Sequence, residues 1–449
     1  MTTGLMQPGL DIGSTPTQDV DITYRKITLR LIPLLFICYV MNYIDRANIG
    51  YAQLQMKPSL GFSDTVYGLA AGVFFIGYFL FELPSNMLLR RIGARKTILR
   101  IMLGWGLVSA ATMFVSTPLQ FYVARFLLGV FEAGFLPGIM LYLTFWYPAQ
   151  RRARVIALFM SATVVASILT GPVSGWILQN MHGVNGWEGW QWMFLLEGLP
   201  SAALGIVAWL YLPNNPSDAR WLTSHEKQTV QHGLRQSSED ALPAVRHSLR
   251  QAFLDPKVYL LCFALFAILC GGYFLSFWTP SLIKELGVTS PQQIGLYAAI
   301  PSIIAAVVMV FYGRHSDARQ ERRWHFAVAA FAAAMGLLAI TVARSDLGLL
   351  LAALTLTSVG VVSALPIFYA IATAHLSREA APAGLSIITS LASLAGVVSP
   401  ALIGAIKTRT GSADSGLYVF GALLVIGAIA LLIGMRQEPG HPITHGKSE

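Results

Sequence analysis

Long apolar runs separated by short polar stretches recur along almost the whole chain. A helix needs about 20 apolar residues to cross the hydrocarbon core of a bilayer, and each run is close to that length or longer. The pattern predicts an all-α membrane protein with 12 transmembrane helices. We number these spans 1 to 12 in chain order and place them at 27–50, 64–89, 97–116, 119–146, 153–180, 190–212, 253–280, 291–313, 325–343, 347–375, 382–406 and 414–435.

The longest polar interruption, 213–252, is rich in Ser, His, Gln and charged residues and divides the predicted spans into two groups of six. We therefore predict an N-terminal six-helix bundle at 1–212, a cytoplasmic central loop at 213–252 and a C-terminal six-helix bundle at 253–449.

Two short patterns recur at half-chain distance and support this division. The basic loop RRIGARK at 90–96, between spans 2 and 3, corresponds to GRHSD at 313–317, between spans 8 and 9. The sequence GPVSG at 171–175 in span 5 is echoed by a Ser-Pro pair and a glycine at 399–404 in span 11. Parallel repeats of this size are typical of major facilitator transporters, whose binding site lies at the membrane midplane between the halves.

The low content of charged residues excludes a soluble protein, and the distribution of Lys and Arg explains the positive net charge. Charged residues make up only 12% of the chain, against about 25% in soluble domains. Of the 31 Lys and Arg residues, we place 24 in segments on one side of the membrane, five on the other and two within spans. This asymmetry follows the positive-inside rule and predicts that both termini are cytoplasmic. The charge of +9 is therefore topological, and we expect no nucleic-acid partner.

The cysteines Cys38, Cys262 and Cys270 all lie in apolar runs, with no spacing typical of disulfides or metal sites. We expect neither a metal nor a cofactor. The first 23 residues lack the apolar core of a signal peptide, so we expect no cleaved signal.

Six ionisable residues lie within the predicted spans, although a charge at the bilayer centre costs a few kcal/mol even on lenient scales. All six belong to the first half of the chain, and the interiors of spans 7 to 12 contain none. This distribution suggests that the N-terminal half handles charge and that the C-terminal half offers neutral polar and aromatic surface. The six are Asp45, Arg46, Glu82, Arg125, Glu132 and Glu197.

The spacing of these residues suggests how they act. Arg125 and Glu132 lie two turns apart on one face of span 4, so both can line one cavity without neutralising each other. Asp45 and Arg46 point about 100° apart on span 1, and we predict that Asp45 pairs with Arg125. Two arginines suit a carboxylate, because a guanidinium offers a planar fork of donors. Glu132, isolated in an apolar span, is predicted to bind a proton.

A structural interpretation stands beside the functional one for each residue. Buried ion pairs can simply join helices. We assign Glu82, two residues before Pro84, and Glu197 to structural roles and leave both outside the site.

Aromatic and hydroxyl side chains supply further candidates for substrate contact. Tyr43 and Tyr78 share helical neighbourhoods with the charges, although many such residues only pack. Tyr273 and Trp278 belong to an aromatic cluster in span 7, which a core or an interfacial belt explains equally well. From the C-terminal half we add two more candidates for substrate selection, Tyr369 and Ser393.

Several stretches resemble the anion:cation symporter family of the major facilitator superfamily, and within it the bacterial tartrate and phthalate transporters. They are NYIDRANIG at 42–50, FIGY at 75–78, ELPSN at 82–86, FEAGFLPG at 131–138, GWQWMFLLEG at 189–198 and GRHSD at 313–317. The resemblance implies that Asp45 and Glu132 carry protons and that Arg46 and Arg125 serve the substrate carboxylate. Two positions depart from the family pattern: Arg90 replaces an acidic residue of the loop motif, and Ser393 replaces an asparagine.

We expect a proton-coupled symporter that imports a small tartrate-, phthalate- or sugar-acid-like carboxylate across the inner membrane by alternating access. The alternative is a sodium-linked or vesicular organic anion carrier. A membrane-embedded enzyme would need a catalytic His pair or a Ser with a base, which the spans lack. Expected partners are the organic anion, protons and membrane lipid, and we expect a monomer.

Overall fold

The computed structural model describes residues 17–239, 254–376 and 381–435. Every regular element in these ranges is helical, and 12 helical spans are long and apolar enough to cross a membrane. The predicted all-α fold with 12 spans is therefore confirmed. Arg378, the tail beyond 435, the first 16 residues and the side chain of Arg90 lie outside the described part, so the predictions about them stay predictions.

Eight spans are single helices. In chain order these are spans 2, 3, 6, 7, 8, 9, 10 and 12, at Asp64–Ile92, Ala94–Ala111, Gly189–Tyr211, Pro256–Glu285, Pro291–Arg319, Arg323–Val342, Leu347–His375 and Asp414–Gly434. Polar caps define several of their beginnings: the Ser290 and Asp346 side chains accept hydrogen bonds from backbone N–H groups in the first turns of spans 8 and 10.

The other four spans each consist of two helices. Spans 1, 4, 5 and 11 comprise Thr17–Ala47 and Ile49–Leu60, Pro118–Glu132 and Phe135–Thr144, Ala149–Met160 and Ala162–Asn180, and Ala381–Ser393 and Ala395–Thr410. Asn48, Ser161 and Leu394, at the junctions in spans 1, 5 and 11, keep helical dihedral angles, whereas the junction in span 4 leaves the helical conformation. In transporters, a discontinuous span such as span 4 accompanies a midplane binding site. The predicted central loop also contains a helix, Ser224–Glu239. The exact bundle boundaries drawn from sequence stay predictions.

The break in span 4 depends on a glycine. Ala133 leaves the helical conformation, and Gly134 adopts a left-handed φ of 86° that side chains with a Cβ rarely adopt. A Cβ at Gly134 would also collide with the Ser85 side chain. Glu132 therefore lies at the end of the first helix of span 4 and next to an irregular segment inside the membrane.

The two halves meet at one end of the molecule. Span 2 contacts span 11, span 5 contacts span 8, and the second helix of span 1 contacts span 7. Gly68 lies against the backbone of Pro400, and Gly171 lies against that of Gly295, which allows close helix approach. Lys284 Nζ also donates to the Leu54 carbonyl oxygen across this contact, at 2.6 Å. We call this the closed end; the charge distribution predicts that it is periplasmic.

Candidate functional site

An ion pair joins spans 1 and 4 beside their helix breaks. Arg46 Nε donates to Glu132 Oε1 at 2.9 Å, and a terminal guanidinium nitrogen of Arg46 donates to the same oxygen. The Glu132 side chain is buried, whereas that of Arg46 is 26% exposed. The expectation that Glu132 is isolated was therefore wrong, because Arg46 of span 1 pairs with it.

Asp45 points away from this ion pair. Its carboxylate accepts hydrogen bonds from Trp105 Nε1 at 2.9 Å, Ser109 Oγ at 2.9 Å and Ser201 Oγ at 2.6 Å. These donors belong to spans 3 and 6, so Asp45 faces the interior of the N-terminal half. The predicted pairing with Arg125 was wrong: neutral donors satisfy the Asp45 carboxylate instead.

Arg125 has no hydrogen-bond partner among the described residues. It is 1% exposed, and none of its three guanidinium nitrogens is paired. Its guanidinium lies 5.0 Å from the centre of the Phe74 ring, and that of Arg46 lies 5.4 Å from the same ring. Cation–π contacts stabilise a guanidinium but satisfy none of its N–H groups. Leaving these buried donors unpaired is costly, and an acceptor beside Arg125 would remove that cost.

Tyrosines from both halves surround Arg46. Its guanidinium lies 5.3 Å from the centre of the Tyr78 ring. Tyr273, in span 7, lies within electrostatic range of Arg46, Tyr43 and Tyr369. The structure therefore brings four of the predicted tyrosines to one place between the halves, where their hydroxyls can donate to or accept from a polar ligand.

Two other predicted substrate contacts lie elsewhere. Trp278 is buried at the closed end, edge-on to Tyr67 with ring centres 5.2 Å apart and beneath the Lys407 ammonium group. Ser393 is the last residue of the first helix of span 11, and its hydroxyl donates to the Ser390 carbonyl oxygen at 2.7 Å. Their assignment to substrate contact stays a prediction.

Two further side chains lie close to these groups, Tyr39 of span 1 and Glu197 of span 6. Tyr39 interacts electrostatically with Arg46 and Glu132. Its signal was available, since it precedes Tyr43 by one turn and Arg46 by two on one face of span 1. Glu197 is buried and accepts a hydrogen bond from Ser174 Oγ at 2.7 Å. Glu82, the other acid left outside the site, is half-buried. Among the described residues, no group of three His, Cys, Asp or Glu side chains could hold a metal.

Comparison with known sequences places the chain in a transporter family. A sequence model of the Major Facilitator Superfamily matches residues 35–344 and 289–449. The chain is 45% identical over 415 residues to a "Putative tartrate transporter" of Agrobacterium vitis, covering 92% of this chain and 95% of that protein. It is 42% identical over 409 residues to the "Putative metabolite transport protein NicT" of Pseudomonas putida, covering 91% and 93% of the two chains.

Solved structures share the fold. A bacterial homolog of the human lysosomal transporter Spinster, in an inward-facing and unoccupied conformation, superposes with a TM-score of 0.73 at 18% identity, covering 95% of this chain and all of that one. A D-xylose-proton symporter superposes with a TM-score of 0.71 at 15% identity, covering 90% and 97%. The arrangement of spans, the sequence match and these relatives agree. The chain belongs to the Major Facilitator Superfamily and is a multi-pass membrane transporter, not an enzyme.

Proposed function

We propose that this transporter is a proton-coupled symporter that imports a small organic carboxylate across the bacterial inner membrane by alternating access. The observation that carries the proposal is the unpaired, fully buried guanidinium of Arg125. It lies 5.0 Å from the centre of the Phe74 ring, and the Arg46 guanidinium lies 5.4 Å from the same centre. Of the common groups on small metabolites, a carboxylate matches a guanidinium in charge, planarity and hydrogen-bond geometry.

The Arg46–Glu132 pair supplies a means of coupling the anion to a proton. A substrate carboxylate that binds Arg46 must displace the Glu132 carboxylate from it. Glu132 would then be left buried without a cation, and a carboxyl group in that setting takes up a proton rather than keep its charge. Binding of the anion and uptake of the proton therefore favour each other, which is the requirement for symport.

Alternating access follows from the contacts between the halves. In this conformation the closed end seals one side through glycine-lined contacts between spans 2 and 11 and between spans 5 and 8. Rocking of one half against the other would open that end and expose the same residues to the opposite side. With both termini cytoplasmic, as the charge asymmetry predicts, this is the inward-facing state.

The relatives support an organic anion as substrate, because two Agrobacterium vitis proteins at 44 and 45% identity are named putative tartrate transporters. A dicarboxylate would engage Arg125 through one carboxylate and Arg46 through the other, while the surrounding tyrosines contact its hydroxyl groups. We therefore take tartrate as the first substrate to test, followed by phthalate and sugar acids.

The proposal is tested by uptake of labelled tartrate, phthalate and sugar acids into proteoliposomes under an imposed pH gradient, without sodium. We expect accumulation of at least one acid that a protonophore abolishes. Arg125→Lys keeps the charge but loses the planar fork, so uptake should fall at least about tenfold. Arg344→Lys, at a partly exposed arginine paired with Asp414, is the matched control and should transport normally.

Accumulation that requires a sodium gradient, and is indifferent to the pH gradient, would favour the sodium-linked alternative and overturn the proton coupling. Normal apparent affinity in Arg125→Lys would remove the unpaired guanidinium from substrate binding.

A further inference from the structure

A second polar cluster lies inside the N-terminal half, on the far side of span 1 from the Arg46–Glu132 pair. It contains the buried side chains of Asp45 and Asn48 from span 1 and Glu197 from span 6. Ser201, one turn after Glu197 on span 6, donates to Asp45 Oδ2 at 2.6 Å. The Glu197 carboxyl group accepts from Ser174 Oγ and lies within electrostatic range of Asp45, so the two acids are neighbours in this cluster.

Three polar atoms of this cluster lack partners. Glu197 Oε2 and both amide atoms of Asn48 are buried and make no hydrogen bond in the described part of the chain. Asn48 nevertheless lies within interaction range of Glu197, and it occupies the break between the two helices of span 1. A protonated Glu197 can donate from Oε2 to the Asn48 amide oxygen, and the amide nitrogen can donate to Glu197 Oε2 when the proton is gone.

None of the polar groups that face Glu197 in the described part of the chain carries a positive charge that pairs with it. Span 1 presents Asp45 and the Tyr51 phenol, and span 5 presents the Ser174 hydroxyl. Glu197 forms no ion pair with any described residue. Arg125 lies within electrostatic range of Asp45 but forms no ion pair with either acid. Two neighbouring buried carboxyl groups that have no ion pair do not both stay ionised. Asp45 has three donors and Glu197 has one, so the geometry leaves the charge on Asp45 and the proton on Glu197.

The depth of Glu197 along span 6 sets the order in which a proton reaches the two acids. Span 6 begins at Gly189 on the side of the closed end, so Glu197 lies about 12 Å into the span and Ser201 about 6 Å deeper. A proton entering from the closed end therefore reaches Glu197 before Asp45.

We propose that Glu197 is a proton-binding residue of the transport cycle, which holds a proton next to Asp45 and adds one coupled proton to that of Glu132. This inference rests on the proposed proton symport. When Glu197 is deprotonated, the proton leaves Oε2 and the resulting charge is held by the Ser174 hydroxyl and the Asn48 amide. No covalent bond other than O–H changes.

The test is the proton-to-substrate ratio of the purified protein in proteoliposomes, from the pH gradient that balances a fixed gradient of labelled tartrate or of another acid that the wild type transports. Glu197→Gln should lower the ratio by one while substrate exchange without net proton flux continues. Glu82→Gln makes the same change at a half-buried acid outside the cluster and should leave the ratio unchanged.

The outcomes separate the two proposals. An unchanged ratio in Glu197→Gln would overturn the role of Glu197 and leave proton symport intact. A wild type that moves no protons with its substrate would overturn both.

Ser174→Ala provides a second test that does not depend on the folding of Glu197→Gln. It keeps the acid but removes the hydroxyl that stabilises the carboxylate form of Glu197, so the proton should be held more tightly. The pH profile of uptake should shift to higher pH with an unchanged ratio. A profile identical to that of the wild type would count against the proposal.

Discussion

Glu132→Gln is the sharpest test of how substrate and proton are coupled. The substitution keeps the shape of the side chain but removes the charge that faces Arg46, and it mimics a permanently protonated Glu132. In the wild type, two guanidinium nitrogens of Arg46 donate to Glu132 Oε1. A glutamine oxygen can still accept from one of them, but as a neutral partner.

The size of the effect follows from this exchange of a charged for a neutral partner. Hydrogen bonds to charged groups contribute about 1.5–3 kcal/mol and neutral ones about 0.5–1.5 kcal/mol. The difference is about 1–1.5 kcal/mol, and because Arg46 is 26% exposed its lower end, about 1 kcal/mol, applies. A substrate carboxylate no longer has to displace an ionised Glu132, so its affinity should rise roughly fivefold.

Binding and transport should therefore diverge in this variant. We expect tighter binding of the carboxylate, measured by calorimetry between pH 5 and 8, with the part of its pH dependence that is due to Glu132 removed, and substrate exchange that continues. Accumulation driven by a pH gradient should fall, because residue 132 releases no proton and only the proton proposed for Glu197 stays coupled. Undiminished accumulation against a gradient would remove Glu132 from the mechanism, and weaker binding would show that it does not compete with substrate for Arg46.

Three further predictions address selectivity, gating and the cytoplasmic helix. Ser393→Asn should shift the preference among competing acids towards hydroxylated ones; an identical ranking in competition assays would mean that Ser393 does not face substrate. Gly295→Leu places a side chain against the Gly171 backbone, so the closed end should stay open and uptake should stop. A cysteine introduced at Gln53 should then react faster with a thiol reagent added on the periplasmic side. Unchanged labelling would contradict this prediction. Burial acts to raise the pKa of Glu226, but hydrogen bonds from Lys26 and the Thr223 backbone outweigh it and hold that pKa below its usual range. The ion pair with Lys26 should therefore stabilise the docking of helix Ser224–Glu239 on span 1 fully above the ordinary Glu pKa of about 4.3, and this stabilisation should be lost as pH falls through the lowered pKa. Hydrogen exchange of this helix should detect the pH dependence. Lys26→Ala should remove it.

The sequence by itself determined the membrane architecture. Twelve apolar runs predicted 12 spans, because hydrophobic length is a local property that tertiary packing cannot change. The presence of Asp45, Arg46, Arg125 and Glu132 inside apolar spans was equally visible, as was the placement of Tyr43 and Arg46 on neighbouring turns of span 1. Each of these conclusions needs only neighbours along the chain.

Tertiary structure decided which charges meet. The sequence showed that Asp45 and Arg46 face different directions, but it could not show which helices lie there. Span 4 supplies Glu132 to Arg46, whereas spans 3 and 6 supply neutral donors to Asp45, and Arg125 is left without a partner. The proximity of Glu197 to Asp45 was not visible in the sequence either, because spans 1 and 6 are far apart along the chain. Pairing between helices depends on their rotation and packing, which no single span encodes.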